Sequence, residues 1–341
     1  GAQGIGRLVQ ASIGQAQPAL RCSPSPGDMC RRWIILMIGL AMTTVSAQER
    51  HSAVQEPDAQ SPVFSSRAEL VVAHITVKDR RGAYVTALPR DVFRILEDGI
   101  PQQVDFFSGE DSSVTVGFLV DSSGSMREGR ERVIAAATAF AEASNSDDEV
   151  FALAFNEQVR AALPDSMPFT SDARVFRAAL AGAMGAQGRT AMYDAISNGL
   201  SYIAKGHHPR RVLVVVGDGG DNASTKTFDH VLREAQASNA AIYTVGIIDP
   251  LEREANPGLL KRLAQATGGE AFFPRHVDDV DDVLRTIAHD IRHSYTLGYV
   301  SSHSARDGQF GRLRVVVDDP ARRSLRVRTR DGYRAAGPPV R

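Results

Sequence analysis

The apolar positions along the chain change their period twice. Up to about residue 110 they form short β-rich runs: 68–77 (AELVVAHITV), 92–97 and 103–107. The turn-forming DRRGAY segment and Asp98-Gly99 separate them. With no long helical period here, residues 64–108 read as a small all-β module, ending at the polar SGEDSS stretch. From Val114 onward, near-continuous apolar runs alternate with amphipathic ones. Strands are predicted at 114–120, 149–155, 212–216 and 241–247, and helices at 130–144, 173–184, 192–205 and 228–237. Strands of this kind, apolar on both faces and spaced by helices, predict a parallel sheet covered on both sides. The fold class expected is therefore α/β, doubly wound and mostly parallel, with residues 158–163 as an antiparallel edge strand. A short strand at 270–273 and an acid-started helix at 278–293 continue that domain. Beyond them, 295–300, 313–317 and 325–329 are β candidates with no helix between, a β-containing carboxyl-terminal extension.

The ends of the chain read differently. Residues 29–47 run from Met-Cys-Arg-Arg through the apolar stretch Trp33 to Met42 to Val45-Ser46-Ala47. A basic start, an apolar centre and small residues before a cut are the order of a secretory signal. The stretch is shorter than the roughly 20 residues of a spanning helix, so a membrane role follows only if the segment stays uncleaved. The expected division is an upstream extension over 1–28, a signal peptide over 29–47, a polar linker over 48–63, the β-rich module over 64–108, the α/β domain over 114–300 and the extension over 301–341. Export to the cell envelope or beyond follows. Both cysteines, Cys22 and Cys30, precede the folded part, which removes disulfides, thiolate metal clusters and cysteine nucleophiles from it. Lys plus Arg total 39 against 40 Asp plus Glu, so no bulk field favours nucleic acid.

Candidate chemistry concentrates where predicted strands end. Asp121-Ser122-Ser123-Gly124-Ser125 follows the first strand of the α/β part directly. Ligands of open α/β sheets bind outside the carboxyl ends of the strands. Alternation lets Asp121, Ser123 and Ser125 aim their oxygens one way, and Gly124 permits the turn between the serines. Thr190 stands ahead of a helix, and Asp218 follows the strand at 212–216. Hydroxyls and carboxylates from loops suit a hard divalent cation, Mg²⁺ or else Mn²⁺ or Ca²⁺. With few protein charges around it, the cation would accept a further carboxylate.

These residues resemble the metal-ion-dependent adhesion site of the von Willebrand factor type A family. Its DxSxS motif matches Asp121, Ser123 and Ser125, its G-x-T-A-hydrophobic-Y-D pattern matches residues 188–194 with Thr190, and its strand-end aspartate matches Asp218. The resemblance implies that Ser123 and Ser125 hold the metal directly and that Asp121, Thr190 and Asp218 do so directly or through water. It also implies that an Asp or Glu of a protein partner completes the shell. Gly217 departs from the pattern, since relatives often carry Thr or Ser there. The likeness spans about 114–299, and the flanking VKDRRGAYVTALPRDVFRILEDGIPQQVDFF, LGYV and RTRDGYR segments resemble a bacterial group related to this family.

Three other readings compete. The metal could serve only to lock the fold of an envelope component. His289 and His293, four apart on a predicted helix as in HExxH zinc proteases, suggest a zinc hydrolase, but an aspartate stands where the glutamate base belongs and no third ligand is evident. A nucleotide-binding reading lacks both G-x-G-x-x-G after the strand and any G-x-x-x-x-G-K-[ST]. The acidic run at 278–282 is a helix start, and Asp221 and Asn222 are expected to shape the loop that presents Asp218. The reading favoured is a binding module, not an enzyme.

Overall fold

A computed structural model describes residues 70–109, 111–185, 188–248, 254–301, 308–322 and 324–335. The extension, signal segment and linker expected over residues 1–63 lie outside the described residues. Strands β1 (Leu70–Lys78), β2 (Phe93–Glu97), β3 (Ile100–Gln102) and β4 (Phe106–Ser108) come first. The α/β part follows as β5 (Val114–Asp121), α1 (Arg130–Glu142), β6 (Glu149–Phe155), β7 (Val159–Ala161), α2 (Ala173–Ala183), α3 (Met192–Ile203), β8 (Arg210–Gly217), α4 (Phe228–Ala237), β9 (Ala240–Gly246), α5 (Pro257–Thr267), β10 (Ala271–Phe272) and α6 (Val280–Arg292). Four strands close the chain: β11 (Ser294–Val300), β12 (Phe310–Val317), β13 (Arg326–Arg328) and β14 (Gly332–Arg334).

The central sheet has the order β10-β9-β8-β5-β6-β7, parallel except for β7, which runs antiparallel at the edge. Every residue of β5 is buried because the strand is sandwiched on both faces. Val114, Val116, Phe118 and Val120 share a core with α1, α2 and α6, while Leu119 belongs to the opposite core with α3 and α5. This is the doubly wound arrangement that the apolar runs imply. Helix α5 has no counterpart in the sequence reading. Its signals are Asn256, whose side chain accepts from Leu259 N–H, Pro257 at the first turn, and Gly268 at φ 85° past its end.

The amino-terminal and carboxyl-terminal strands, read separately in the sequence, interleave in two further sheets, β13-β1-β11-β4 and β14-β12-β2-β3. Strand β11 pairs with β1 over seven residues, Leu70↔Val300 to Thr76↔Ser294. The two sheets enclose their own core, with Val71, Ala73, Ile75 and Val77 of β1 facing Phe93, Ile95, Leu313 and Val315. The alternate residues of β1 form a polar seam with the α/β part. His74 approaches Thr296 Oγ1 (3.3 Å) and Asn239 O (3.1 Å), and Thr76 Oγ1 donates to Asp290 (3.4 Å). Asp290 also accepts from Tyr84 OH at 2.9 Å and from Tyr243 and Arg328. Burial pushes the Asp290 carboxyl up, but Arg328, the two tyrosine hydroxyls and Lys78 outweigh it and hold it below the ordinary carboxylate range.

Candidate metal centre

Strand β5 is one of the two central strands of the sheet, and the loops after β5, β6 and β8 leave from the same, carboxyl end of these parallel strands, where ligands of open α/β sheets bind. Asp121 is its last residue, in register with Phe155 of β6. Ser122 turns the chain by donating both its N–H (2.7 Å) and its hydroxyl (3.0 Å) to the Phe155 carbonyl. Asp121 Oδ1 then accepts from Ser123 N–H at 2.7 Å, an Asx turn that draws the two side chains together. Ser123 starts a 3-10 turn over Gly124–Met126, and Ser125 is its middle residue, with its side chain outside the described part of the structure.

Asp218 follows β8 directly, with its Oδ1 accepting from Gly220 N–H at 2.8 Å. Its carbonyl accepts from Asn256 N–H at 3.1 Å, which ties the loop to the start of α5. The turn needs Gly219: its φ is +83° and a Cβ there would stand 2.6 Å from Asn256 O. Gly217 has a packing reason as well. A Cβ on it would sit 3.1 Å from Asp121 Cβ and 3.4 Å from Asp121 Oδ2, so a Thr or Ser there requires Asp121 to yield by a few tenths of an ångström.

Thr190 lies between α2 and α3 and is held by the Asp218 loop, not by its own. Thr190 N–H donates to Asn222 Oδ1 at 2.9 Å, and the Thr190 carbonyl accepts from Asn222 N–H (2.9 Å) and Ala223 N–H (3.0 Å). Asn222 Nδ2 donates in turn to Glu254 Oε2 at 2.5 Å. Asp221 instead caps α3, accepting from Tyr193 N–H at 2.8 Å. Sequence reasoning gave Asp221 and Asn222 only the task of presenting Asp218. An Asn two residues before Ser224 carries no mark that would assign it to Thr190, because the contact joins positions 32 apart.

Asp121, Ser123, Thr190 and Asp218 are all buried. The Asp121 carboxyl is pushed up to about 6, mainly by burial and further by the negative Asp218, against the pull of the Ser123 hydrogen bonds. Two buried carboxylates at the ends of adjacent strands, with the Ser123 side chain hydrogen-bonded to Asp121, are a donor set that suits a hard divalent cation, because the cation relieves the cost of burying their charge.

The histidine pair is built differently. The rings of His289 and His293 stack with centroids 3.9 Å apart, Tyr84 packs on both, and His293 Nδ1 lies 2.7 Å from the His289 carbonyl. Asp290, at the position of a base, turns into the buried seam toward Tyr243 and Arg328. Among the described residues no three His, Cys, Asp or Glu side chains cluster as a metal group.

A family model described as von Willebrand factor type A domain matches residues 115–290. The chain belongs to the von Willebrand factor type A family. The match runs from β5 to Asp290 in α6, so it takes in all three loops of the candidate centre. Among solved structures, the chain is similar to a von Willebrand factor type A protein from Catenulispora acidiphila at 13% identity and a TM-score of 0.48, covering 81% of this chain and 76% of that one. It is also similar to the vWF domain of the type V pili tip protein Mfa5 from Porphyromonas gingivalis, at 13% identity and a TM-score of 0.42, covering 52% of this chain and 96% of that one. A third is proximal thread matrix protein 1 from the mussel byssus with a zinc-occupied MIDAS motif, at 12% identity and a TM-score of 0.46, covering 55% and 47%. A comparison with curated proteins found no match. No helix of the described residues is long and apolar enough to cross a membrane.

Proposed function

We propose that this chain is an exported binding module in which Asp121, Ser123, Ser125, Thr190 and Asp218 hold one divalent cation, Mg²⁺ or else Mn²⁺ or Ca²⁺, and that the cation engages an Asp or Glu carboxylate of a protein partner. The observation that carries this reading is the placement of the buried Asp121 and Asp218 at the ends of the adjacent parallel strands β5 and β8. When bound, the cation supplies Lewis acidity toward the incoming carboxylate. The chain's own residues do the positioning. The Asx turn sets the Asp121 carboxyl beside Ser123, the Gly220 N–H orients Asp218, and Asn222 holds the Thr190 backbone. Two carboxylates among neutral hydroxyls leave a divalent cation with little surplus negative charge, which favours an anionic partner group. Export rests on the signal-like order of residues 29–47. Binding in place of catalysis fits the family, whose domains are generally non-catalytic interaction modules.

The test is calorimetric titration of the chelator-dialysed protein with Mg²⁺ and with Mn²⁺. One-to-one binding in the native protein, abolished in Asp121→Ala and in Asp218→Ala, is the expected result; equal binding in both variants overturns the assignment. Capture of protein partners with Mg²⁺ and again with EDTA then separates adhesion from a purely stabilising ion. Association that persists in EDTA while melting still responds to Mg²⁺ means that the ion only locks the fold.

A further inference from the structure

We propose that the cleft between β1, β13 and α5 binds a tetrahedral dianion, the phosphate or sulfate group of a larger ligand. The cleft holds about 400 Å³ and is lined by Lys78, Lys261, Arg326 and Arg328 together with Thr76 and Glu270. Lys78 and Arg326 are direct cross-strand partners in the antiparallel β1/β13 ladder, and Arg328, two residues along the same face, pairs with Thr76. Like charges directly opposite each other destabilise a sheet, so this ladder carries a local conflict where it faces an open cavity.

The carboxylates at hand do not resolve the conflict. Asp290 is bound by Arg328 and lies 3.7 Å from Lys78, and Glu270 lies 2.9 Å from Arg328. Arg326 is exposed and makes no hydrogen bond or ion pair with a described residue. Lys261, also exposed, rests its ammonium over the Phe273 ring at 5.3 Å. Among the described residues, four basic groups thus stand against two carboxylates, an excess of two positive charges that sets the ligand charge near minus two. A second cleft of about 570 Å³ shares Arg328 with it and is lined as well by Arg314, Arg330 and Asp331. Phosphate and sulfate oxygens suit arginine and lysine through charge-assisted hydrogen bonds. The cleft opens beside Glu270, ahead of β10, at the amino end of the parallel strands and on the edge of the sheet opposite Asp121 and Asp218.

The probes are inorganic phosphate and inorganic sulfate, titrated calorimetrically into the full chain in EDTA, with chloride and acetate at equal ionic strength as controls. Saturable binding of both dianions and none of the monovalent ions is expected. An Arg326→Ala/Lys261→Ala double variant, altered only at exposed positions, weakens that binding at least about tenfold, the scale of losing charge-assisted contacts. Glu270→Gln, which removes one negative charge from the cleft and leaves Arg328 with Asp290 alone, tightens it. Asp121→Ala leaves it unchanged, so the result is independent of the metal assignment. Dianion binding no stronger than chloride binding, or equal affinity in the native protein and the double variant, overturns the proposal.

Discussion

Asn222 clasps Thr190 from both sides: its side-chain oxygen accepts from Thr190 N–H at 2.9 Å while its own N–H donates to the Thr190 carbonyl at 2.9 Å. The loop after β8 therefore carries Asp218 and also sets the position of Thr190, so two of the proposed metal loops are tied together.

Asn222→Ala removes the side-chain half of the clasp. The metal-free protein should lose about 1 kcal/mol of stability, the usual scale for one hydrogen bond. Mg²⁺ affinity should fall several-fold besides, since Thr190 is no longer held in place. Asn222→Asp keeps the acceptor oxygen but sets a carboxylate against Glu254, so it should restore most of the affinity only when combined with Glu254→Gln. Chelator-controlled denaturation and calorimetry measure the two effects separately.

Asp121→Asn should separate metal binding from folding. The amide retains an acceptor for Ser123 N–H but carries no charge, so the buried repulsion with Asp218 disappears. The variant should melt at or above the native temperature in EDTA. It should also lose the stabilisation that a cation at about one hundred times its Kd confers, about 2.7 kcal/mol. Melting curves with and without Mg²⁺ check both.

Acid should destabilise the fold through His74. Burial, and then the nearby Arg210 charge, lower its pKa from 6.5 to about 3, and with the Asn239 carbonyl as acceptor the ring proton sits on Nε2. The unfolded chain takes up a proton below about pH 6.5 and the folded one does not until about pH 3. The contribution of the neutral ring is thus complete above pH 6.5 and is lost as the pH falls from there toward 3, by up to about 1.4 kcal/mol per pH unit. Urea denaturation at a series of pH values should show that slope, and His74→Gln should flatten it.

Asp290→Ala removes the buried carboxylate that Arg328, Tyr243 and Thr76 share and leaves Glu270 as the carboxylate partner of Arg328. The loss should therefore fall below the cost of stranding a fully buried charge, about 3–5 kcal/mol. A double replacement of Asp290 and Arg328 by Leu should be less destabilised than Asp290→Ala alone. Equilibrium unfolding of both variants tests the seam.

Much of the α/β part could be read from local pattern. The runs at 114–120 and 149–155 are apolar on both faces, which only a doubly covered sheet accommodates, and their observed spans differ by a residue at most. Helix α5 was missed because its apolar residues are compressed into a short LLKRLAQA run, although Asn256, Pro257 and Gly268 mark its ends. The proposed metal motif rests on local features for a similar reason: residues 121–125 are neighbours in the chain, and Thr190 and Asp218 each sit at a recognisable element boundary.

The pairing of β1 with β11 lay beyond the sequence's reach. Their contact joins residues more than 200 positions apart, and a period-two pattern shows which face of a strand is buried but not which strand lies beside it. The hold of Asn222 on Thr190 and the face-off of Lys78 and Arg326 have the same origin, since each is set by register between distant segments. The sequence by itself determined the parallel sheet, its doubly covered core and the oxygen-bearing loops at its rim, because these depend on burial and on residues close in the chain. Only the tertiary structure decided how the outer strands interleave, which loops are tied together and where basic residues face each other across a ladder, because those depend on which distant segments share hydrogen bonds.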